Sequence, residues 1–174
     1  MIGKNDIRDF ILKECDICLH LHGQLPEGGM DYRPSEGQRS TLELLRYLSF
    51  CAIGSARMLL DGHWDVYREM AEASQSMTAE EFPAAMARQK EQVAAFFDEI
   101  SDEDVATRKA QSPLGEEIPF LHGLISMPHN WLVAYRMQLF LYAKQAGNDE
   151  IWTPDCWAGV SMDKPAPAPA EADA

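Results

Sequence analysis

The stretch HNWLVAYRMQLFLYAKQAG, residues 129–147, is the most apolar part of the chain that still carries polar side chains at regular positions. Its apolar residues recur with helical spacing, and Gly147 is a residue type that commonly ends a helix. The stretch therefore predicts the second half of a long buried helix that runs from about Glu117 to Ala146. Pro119 suits the first turn of such a helix, whereas Pro128 lies inside the pattern and predicts a kink.

Three further long segments show helical periodicity. The second of them begins at Ser40, where Glu43 follows three residues later in the capping-box pattern, and its residues are apolar almost all round. We expect this helix to be the most buried. The predicted long helices before the last one span about Asn5–His22, Ser40–Gly62 and Thr78–Ile100, and shorter helices are expected near residues 63–76 and after Ser101.

No run of alternating β-branched residues indicates a strand, and no internal repeat is visible. The pattern predicts an all-α fold, a four-helix bundle with short extra helices in the connections. Residues 1–150 are expected to form the bundle. Residues 151–174 are expected to form a C-terminal extension with a flexible Pro/Ala-rich end.

The charge of the chain limits its partners. The 28 acidic residues outnumber the 15 basic ones, and a net charge of −13 repels phosphate backbones, which argues against nucleic acid as a partner. The N-terminal sequence MIGKNDIRDFILKEC alternates charged with apolar residues, unlike a signal peptide or a membrane span. We therefore expect a cytoplasmic protein with no membrane partner and with free thiols at its four cysteines.

Two segments resemble a known family. Residues 32–50, YRPSEGQRSTLELLRYLSF, and residues 112–147 are similar to the DinB-like (YfiT-type) helical-bundle superfamily. In that family one helix begins with a Ser/Thr-x-x-Glu-Leu-Leu-x-His phrase, and the last helix carries His-x-x-x-His-Arg-Gly-Gln before a closing Gly. Arg136, Gln138 and Gly147 match the spacing of that ending.

The resemblance implies one Zn or Ni ion held by three histidines, and in some members thiol-dependent transferase or isomerase activity. It also implies a homodimer. The three ligand positions fall on Tyr47, Trp131 and Tyr135 in this sequence, and none of them is histidine. An indole cannot ligate a metal, and a neutral phenol is a poor ligand for Zn or Ni. We therefore predict no metal and no cofactor, with Zn or Ni as an alternative only if other residues rebuild the site.

Two groups of residues are candidates for such a rebuilt site. His122 and His129 lie on the flank of the last helix, but seven residues separate them by about 10.5 Å along its axis, too far for one ion. Cys15, Cys18 and His22 share one side of the first helix, yet no second Cys/His pair with suitable spacing follows. Small buried thiols are the expected role of these cysteines.

Glu14 and the aromatic stretch at residues 63–67 are two further candidates for parts of a functional site. Glu14 lies near the centre of the first helix's apolar face, where a carboxylate needs a partner, and we expect Arg46 or Arg136 to pair with it unless it lies near the open end of the bundle. The aromatic stretch HWDVY, residues 63–67, is either a lid packed on the bundle end or one wall of a pocket.

Two functions follow from these residues. The first is binding of a small organic ligand in a pocket lined by Tyr47, Trp131 and Tyr135, with His129 and Arg136 at its rim. The second is a non-catalytic, dimerising scaffold in which the aromatic side chains fill the former metal cavity. A metal-dependent thiol transferase or hydrolase-like enzyme is the alternative that the family resemblance implies.

Overall fold

The computed structural model describes residues 3–165, and its long helices form the four-helix bundle predicted from the sequence. In chain order the helices are α1 (Lys4–His22), α2 (Thr41–Leu48), α3 (Cys51–Asp61), α4 (Asp65–Ser74), α5 (Phe82–Glu99), α6 (Asp102–Thr107), α7 (Phe120–Leu124), α8 (Asn130–Gln145) and α9 (Thr153–Ala158). A 3₁₀ turn, Gly29–Asp31, and two short strands, β1 (Lys109–Gln111) and β2 (Glu117–Pro119), lie in the connections. Within residues 3–165, no helix is long and apolar enough to cross a membrane.

The core lies where the four long segments meet. Helix α1 packs between α5 and α8, and the α2–α3 segment packs on α5 and on the α7–α8 segment. Large side chains are fully buried there, each contributing about 1.5–3 kcal/mol through removal of apolar surface from water. They include Ile11, Leu45, Phe82, Phe96, Phe120 and Leu139.

The second predicted helix begins where expected but is divided into α2 and α3. The Ser40 hydroxyl accepts a hydrogen bond from the Glu43 backbone N–H at 3.2 Å, and the Glu43 carboxylate accepts one from the Ser40 N–H at 2.6 Å. The capping box is therefore confirmed. The helix is interrupted at Ser49 and Phe50, which the sequence pattern did not predict.

The interruption is stabilised by a buried side chain from α5. The Gln89 side-chain carbonyl accepts hydrogen bonds from the backbone N–H groups of Ala52, at 3.0 Å, and Ile53, at 3.4 Å. Its amide donates to the Leu48 carbonyl at 2.8 Å. Gln89 therefore caps the end of α2 and the start of α3 at once, replacing partners that helix ends otherwise lack.

Two predicted helix starts are wrong. Helix α5 begins at Phe82 and not at Thr78, because Pro83 is accommodated only in a helix's first turn. The last helix begins at Phe120 and not at Glu117, because residues 117–119 pair with residues 109–111 as antiparallel strands. Strands of three residues are too short to produce an alternating sequence pattern.

The last long helix is continuous through Pro128, but with a change of geometry. Pro128 lies in a π-helical turn, Ile125–His129, which joins α7 to α8 and accommodates a residue that has no backbone N–H. At the other end, the Asn148 N–H donates to the Ala143 carbonyl at 3.0 Å and the Gly147 N–H to Lys144 at 3.1 Å. With φ of 126° at Gly147, these bonds close the helix as predicted.

The C-terminal extension predicted for residues 151–174 contains helix α9, which packs on α1 and α8. The buried Asp155 carboxylate lies 2.8 Å from His20 Nε2 and accepts hydrogen bonds from the Ser161 hydroxyl at 2.9 Å and the Trp152 N–H at 3.0 Å. The predicted flexible end falls mostly on residues 166–174, which lie outside the described residues.

Replacing Asp155 by asparagine is expected to destabilise the fold by about 1.5–3 kcal/mol near pH 7, the usual contribution of hydrogen bonds to a charged group. Burial raises the pKa of Asp155, but the hydrogen bonds from Trp152, His20 and Ser161 together lower it by a larger amount, so the net shift is downward. The stabilisation is therefore present above the unfolded value of about 3.9 and is lost as pH falls through the folded-state pKa.

Urea unfolding at pH 7 and pH 3 measures this difference, with Asp163→Asn at an exposed neighbouring position as the control. The loss in Asp155→Asn should shrink at pH 3. An equal loss at both pH values would contradict the role given to the carboxylate.

Candidate functional site

A cavity of about 540 Å³ opens between α2, α4 and the loop of residues 33–39. Its walls combine aromatic rings with guanidinium groups. The arginine and aromatic residues that line it are Arg33, Arg39, Arg46, Tyr47, Phe50 and Tyr67. In a chain with a net charge of −13, three of the 15 basic residues lie around this one cavity.

Tyr47 connects the cavity to the interior of the bundle. Its ring contacts the Tyr135 ring edge-on, with centroids 4.6 Å apart, and the Phe50 ring at 5.7 Å. The Tyr67 ring contacts Phe50 at 5.3 Å and Trp131 at 6.2 Å. The three positions carried over from the family resemblance are therefore joined by aromatic contacts, but only Tyr47 borders the cavity.

Tyr67 reaches the cavity because α3 has a glycine at the point of contact. A Cβ atom at Gly54 would lie 3.0 Å from the Tyr67 ring and 3.3 Å from the Phe50 ring. A larger residue at position 54 would push α4 away from α3. The aromatic stretch at residues 63–67 is thus both packed on the bundle and, through Tyr67, one wall of a pocket.

Arg39 differs from the other two arginines of the cavity. Its guanidinium carbon lies 4.4 Å from the Tyr47 ring centroid and 5.4 Å from the Tyr135 centroid, a cation–π arrangement. Arg33 is paired with Glu43 at 3.3 Å, and Arg46 Nε donates to the Met77 carbonyl at 2.9 Å. Among residues 3–165, no carboxylate forms an ion pair with the Arg39 guanidinium.

The backbone of Arg39 is fixed by α8. The Tyr142 hydroxyl donates to the Arg39 carbonyl at 3.0 Å, and the Gln138 amide donates to that hydroxyl oxygen. The Tyr32 hydroxyl also donates to the Gln145 side chain at 2.6 Å. The polar side chains of the last helix therefore hold the loop that carries Arg39.

No protein-family model matches the sequence, and no curated protein matches it. Among solved structures, the chain is similar to a DinB-like protein, YjoA, from Bacillus subtilis, with a TM-score of 0.66. The match covers 84% of this chain and 96% of that chain. The fold is DinB-like. At 14% sequence identity the similarity establishes the fold alone.

The three carried-over positions of this DinB-like fold do not fit a divalent metal. Trp131 has no donor atom for a metal, and burial raises the pKa of the Tyr47 phenol, so a phenolate ligand is disfavoured there. The Tyr47 and Tyr135 rings also contact each other directly. In the described part of the chain, no three His, Cys, Asp or Glu side chains lie close enough to hold one ion.

The remaining predicted site residues of the DinB-like bundle lie away from the cavity. His129 is half-buried beside Phe10, with ring centroids 6.1 Å apart, and its Nδ1 lies 3.1 Å from the Asn130 side-chain oxygen. Glu14 pairs with Arg136, the second of the two partners considered for it, at 3.1 Å between Oε2 and Nε.

The Glu14–Arg136 pair is almost fully buried, with side-chain exposures of 12% and 8%. Although Arg136 Nε and Glu14 Oε2 lie 3.1 Å apart, they do not form a hydrogen bond with each other, so their contact is chiefly electrostatic. Arg136 also donates from Nη1 to the Cys156 carbonyl at 2.6 Å. The pair therefore connects α1, α8 and α9.

The cysteines of α1 are buried free thiols, as expected from the sequence. Burial raises the pKa of the Cys15 thiol to about 12 and also raises that of Cys18, so neither is a ready nucleophile. His22 Nε2 lies 2.9 Å from the Ala79 carbonyl. These residues belong to the packing of the bundle.

Proposed function

We propose that the protein binds a small organic molecule in the cavity beside Tyr47. The observation that carries this proposal is a cavity of about 540 Å³ whose walls are aromatic rings and guanidinium groups. This volume falls within the range of about 300–1,000 Å³ found for small-molecule sites, which combine apolar walls with a few polar groups.

The chemistry of the walls favours a flat ligand. The half-buried Tyr47 and Tyr67 rings line the cavity beside the buried Phe50, and rigid aromatic side chains of this kind contact a planar group with little loss of side-chain freedom. Burial raises the pKa of the Tyr47 and Tyr67 phenols, so both stay neutral near pH 7, and a hydrogen bond between the two hydroxyls uses one of their two protons. A metal is not needed for this mode of binding.

The lining supports binding more than catalysis. It contains no histidine or cysteine, and of its two carboxylates Glu43 is held ionised by the capping box, since the Ser40 N–H lowers its pKa. The lining residues thus include neither the imidazole nor the thiol that most often acts as a base or nucleophile near pH 7.

The proposal is tested by filling the cavity. Ala71 on α4 lines the cavity and Ala73, two residues further on, is exposed outside it. Calorimetric titration with 2-naphthoate and 2-naphthylmethanol is expected to show binding to the wild type and to Ala73→Phe, and loss of binding in Ala71→Phe. Equal binding by Ala71→Phe and the wild type would show that the ligand binds elsewhere.

A further inference from the structure

We infer that the ligand is a singly charged aromatic carboxylate and that Arg39 binds its carboxylate group. The inference rests on the proposed function, because it names the class of ligand for the same cavity. It is carried by the distribution of charge around the cavity and by the position of Arg39 on two aromatic rings.

Part of the charge at the cavity is compensated within the protein. Arg33 faces Glu43 at 3.3 Å, and one donor of Arg46 is used by the Met77 carbonyl. The Arg39 guanidinium carbon lies 4.4 Å from the Tyr47 ring centroid, and within the described residues no carboxylate pairs with its N–H groups, which are therefore left for another partner. Two parallel N–H groups of a guanidinium match the two oxygens of a carboxylate, a geometry that lysine does not offer.

The net charge of the lining favours a monoanion. Three arginines and two glutamates, Glu36 and Glu43, leave one positive charge around the cavity. A carboxylate neutralises that charge. A phosphate monoester carries about −1.5 to −2 at pH 7 and would leave excess negative charge beside both glutamates.

The backbone of Arg39 is held in place before any ligand binds. Its carbonyl accepts the Tyr142 hydrogen bond, and its exposed guanidinium lies 4.4 Å from the Tyr47 ring centroid and 5.4 Å from the Tyr135 centroid. Little further ordering of the backbone at this position is needed on binding, which favours affinity. The half-buried Tyr67 ring then contacts the ring of the ligand.

Calorimetric titration with 2-naphthoate, 2-naphthylmethanol and 2-naphthyl phosphate tests the inference, because the three probes share a ring and differ in charge. We expect the wild type to bind the carboxylate about tenfold or more tightly than the alcohol, as a charged hydrogen bond implies, and more tightly than the phosphate. Arg39→Gln should abolish the preference for the carboxylate over the alcohol. Arg39→Lys should retain only part of it.

Arg88→Gln is the matched control, since Arg88 is exposed on α5, outside the cavity, and its replacement changes the net charge equally. It should behave as the wild type. Equal affinity of the wild type for the carboxylate and the alcohol would overturn the inference and leave the proposed function standing. If the wild type bound neither the carboxylate nor the alcohol, both the inference and the proposed function would be overturned. Tighter binding of 2-naphthyl phosphate than of 2-naphthoate would overturn the assignment of the anion. Loss of the preference for the carboxylate in Arg88→Gln would overturn the assignment of Arg39.

Discussion

Replacement of Gln89 by methionine is expected to destabilise the protein by about 3–5 kcal/mol, although the two side chains have similar size. The methionine would leave the Leu48 carbonyl and the N–H groups of Ala52 and Ile53 without the partners that Gln89 provides. Each buried backbone group left unsatisfied costs about 1–3 kcal/mol. Local opening of the bundle at the α2–α3 junction should accompany the loss.

Urea unfolding compares this variant with Gln92→Met, a substitution at an exposed position on the same helix. The control is expected to change the free energy of unfolding by less than about 0.5 kcal/mol, as surface substitutions usually do. Hydrogen exchange should show faster exchange at Ala52 and Ile53 in Gln89→Met alone. Similar stability of the two variants would contradict the capping role of Gln89.

Replacement of Arg136 by methionine is expected to cost about 3–5 kcal/mol, because removal of one partner leaves a buried, uncompensated charge on Glu14. The Cys156 carbonyl also loses its donor, so the packing of α9 should weaken. By contrast, a double replacement of Glu14 and Arg136 by methionine removes both charges. It should cost much less than the sum of the two single replacements.

A double-mutant cycle in urea measures this coupling, and Arg68→Met serves as the surface comparison. Arg68 and Asp65 form an exposed ion pair, with side-chain exposures of 70% and 65%, which contributes at most about 1 kcal/mol. Additive costs of the Glu14 and Arg136 replacements would show that the two side chains do not depend on each other.

Local signals predicted much of the fold. The capping box at Ser40 was predicted from the sequence, as were the short helix after Ser101 and the glycine that ends the last helix. The division between α2 and α3 was not, because it depends on Gln89, which is distant in sequence and reaches the break only in the folded bundle. Pro83 was a local signal for the start of α5 that the longer helical pattern obscured.

The candidate site was only partly predictable. The family resemblance located Tyr47, and the apolar-face position of Glu14 required a partner, which proved to be Arg136. The role of Arg39 was not predicted, because a loop arginine belongs to no periodic pattern. The two aromatic rings beside it come from α2 and α8, which are distant from each other in sequence. The predicted homodimer and cytoplasmic location stay predictions.

The most direct test of the account is a crystal structure of the protein grown with 2-naphthoate. We expect electron density for the ring beside Phe50 and Tyr67, with both carboxylate oxygens at about 2.7–2.9 Å from the Arg39 guanidinium. A cavity closed by side chains, a ligand bound away from Arg39, or a metal ion ligated beside Tyr47 would contradict the account.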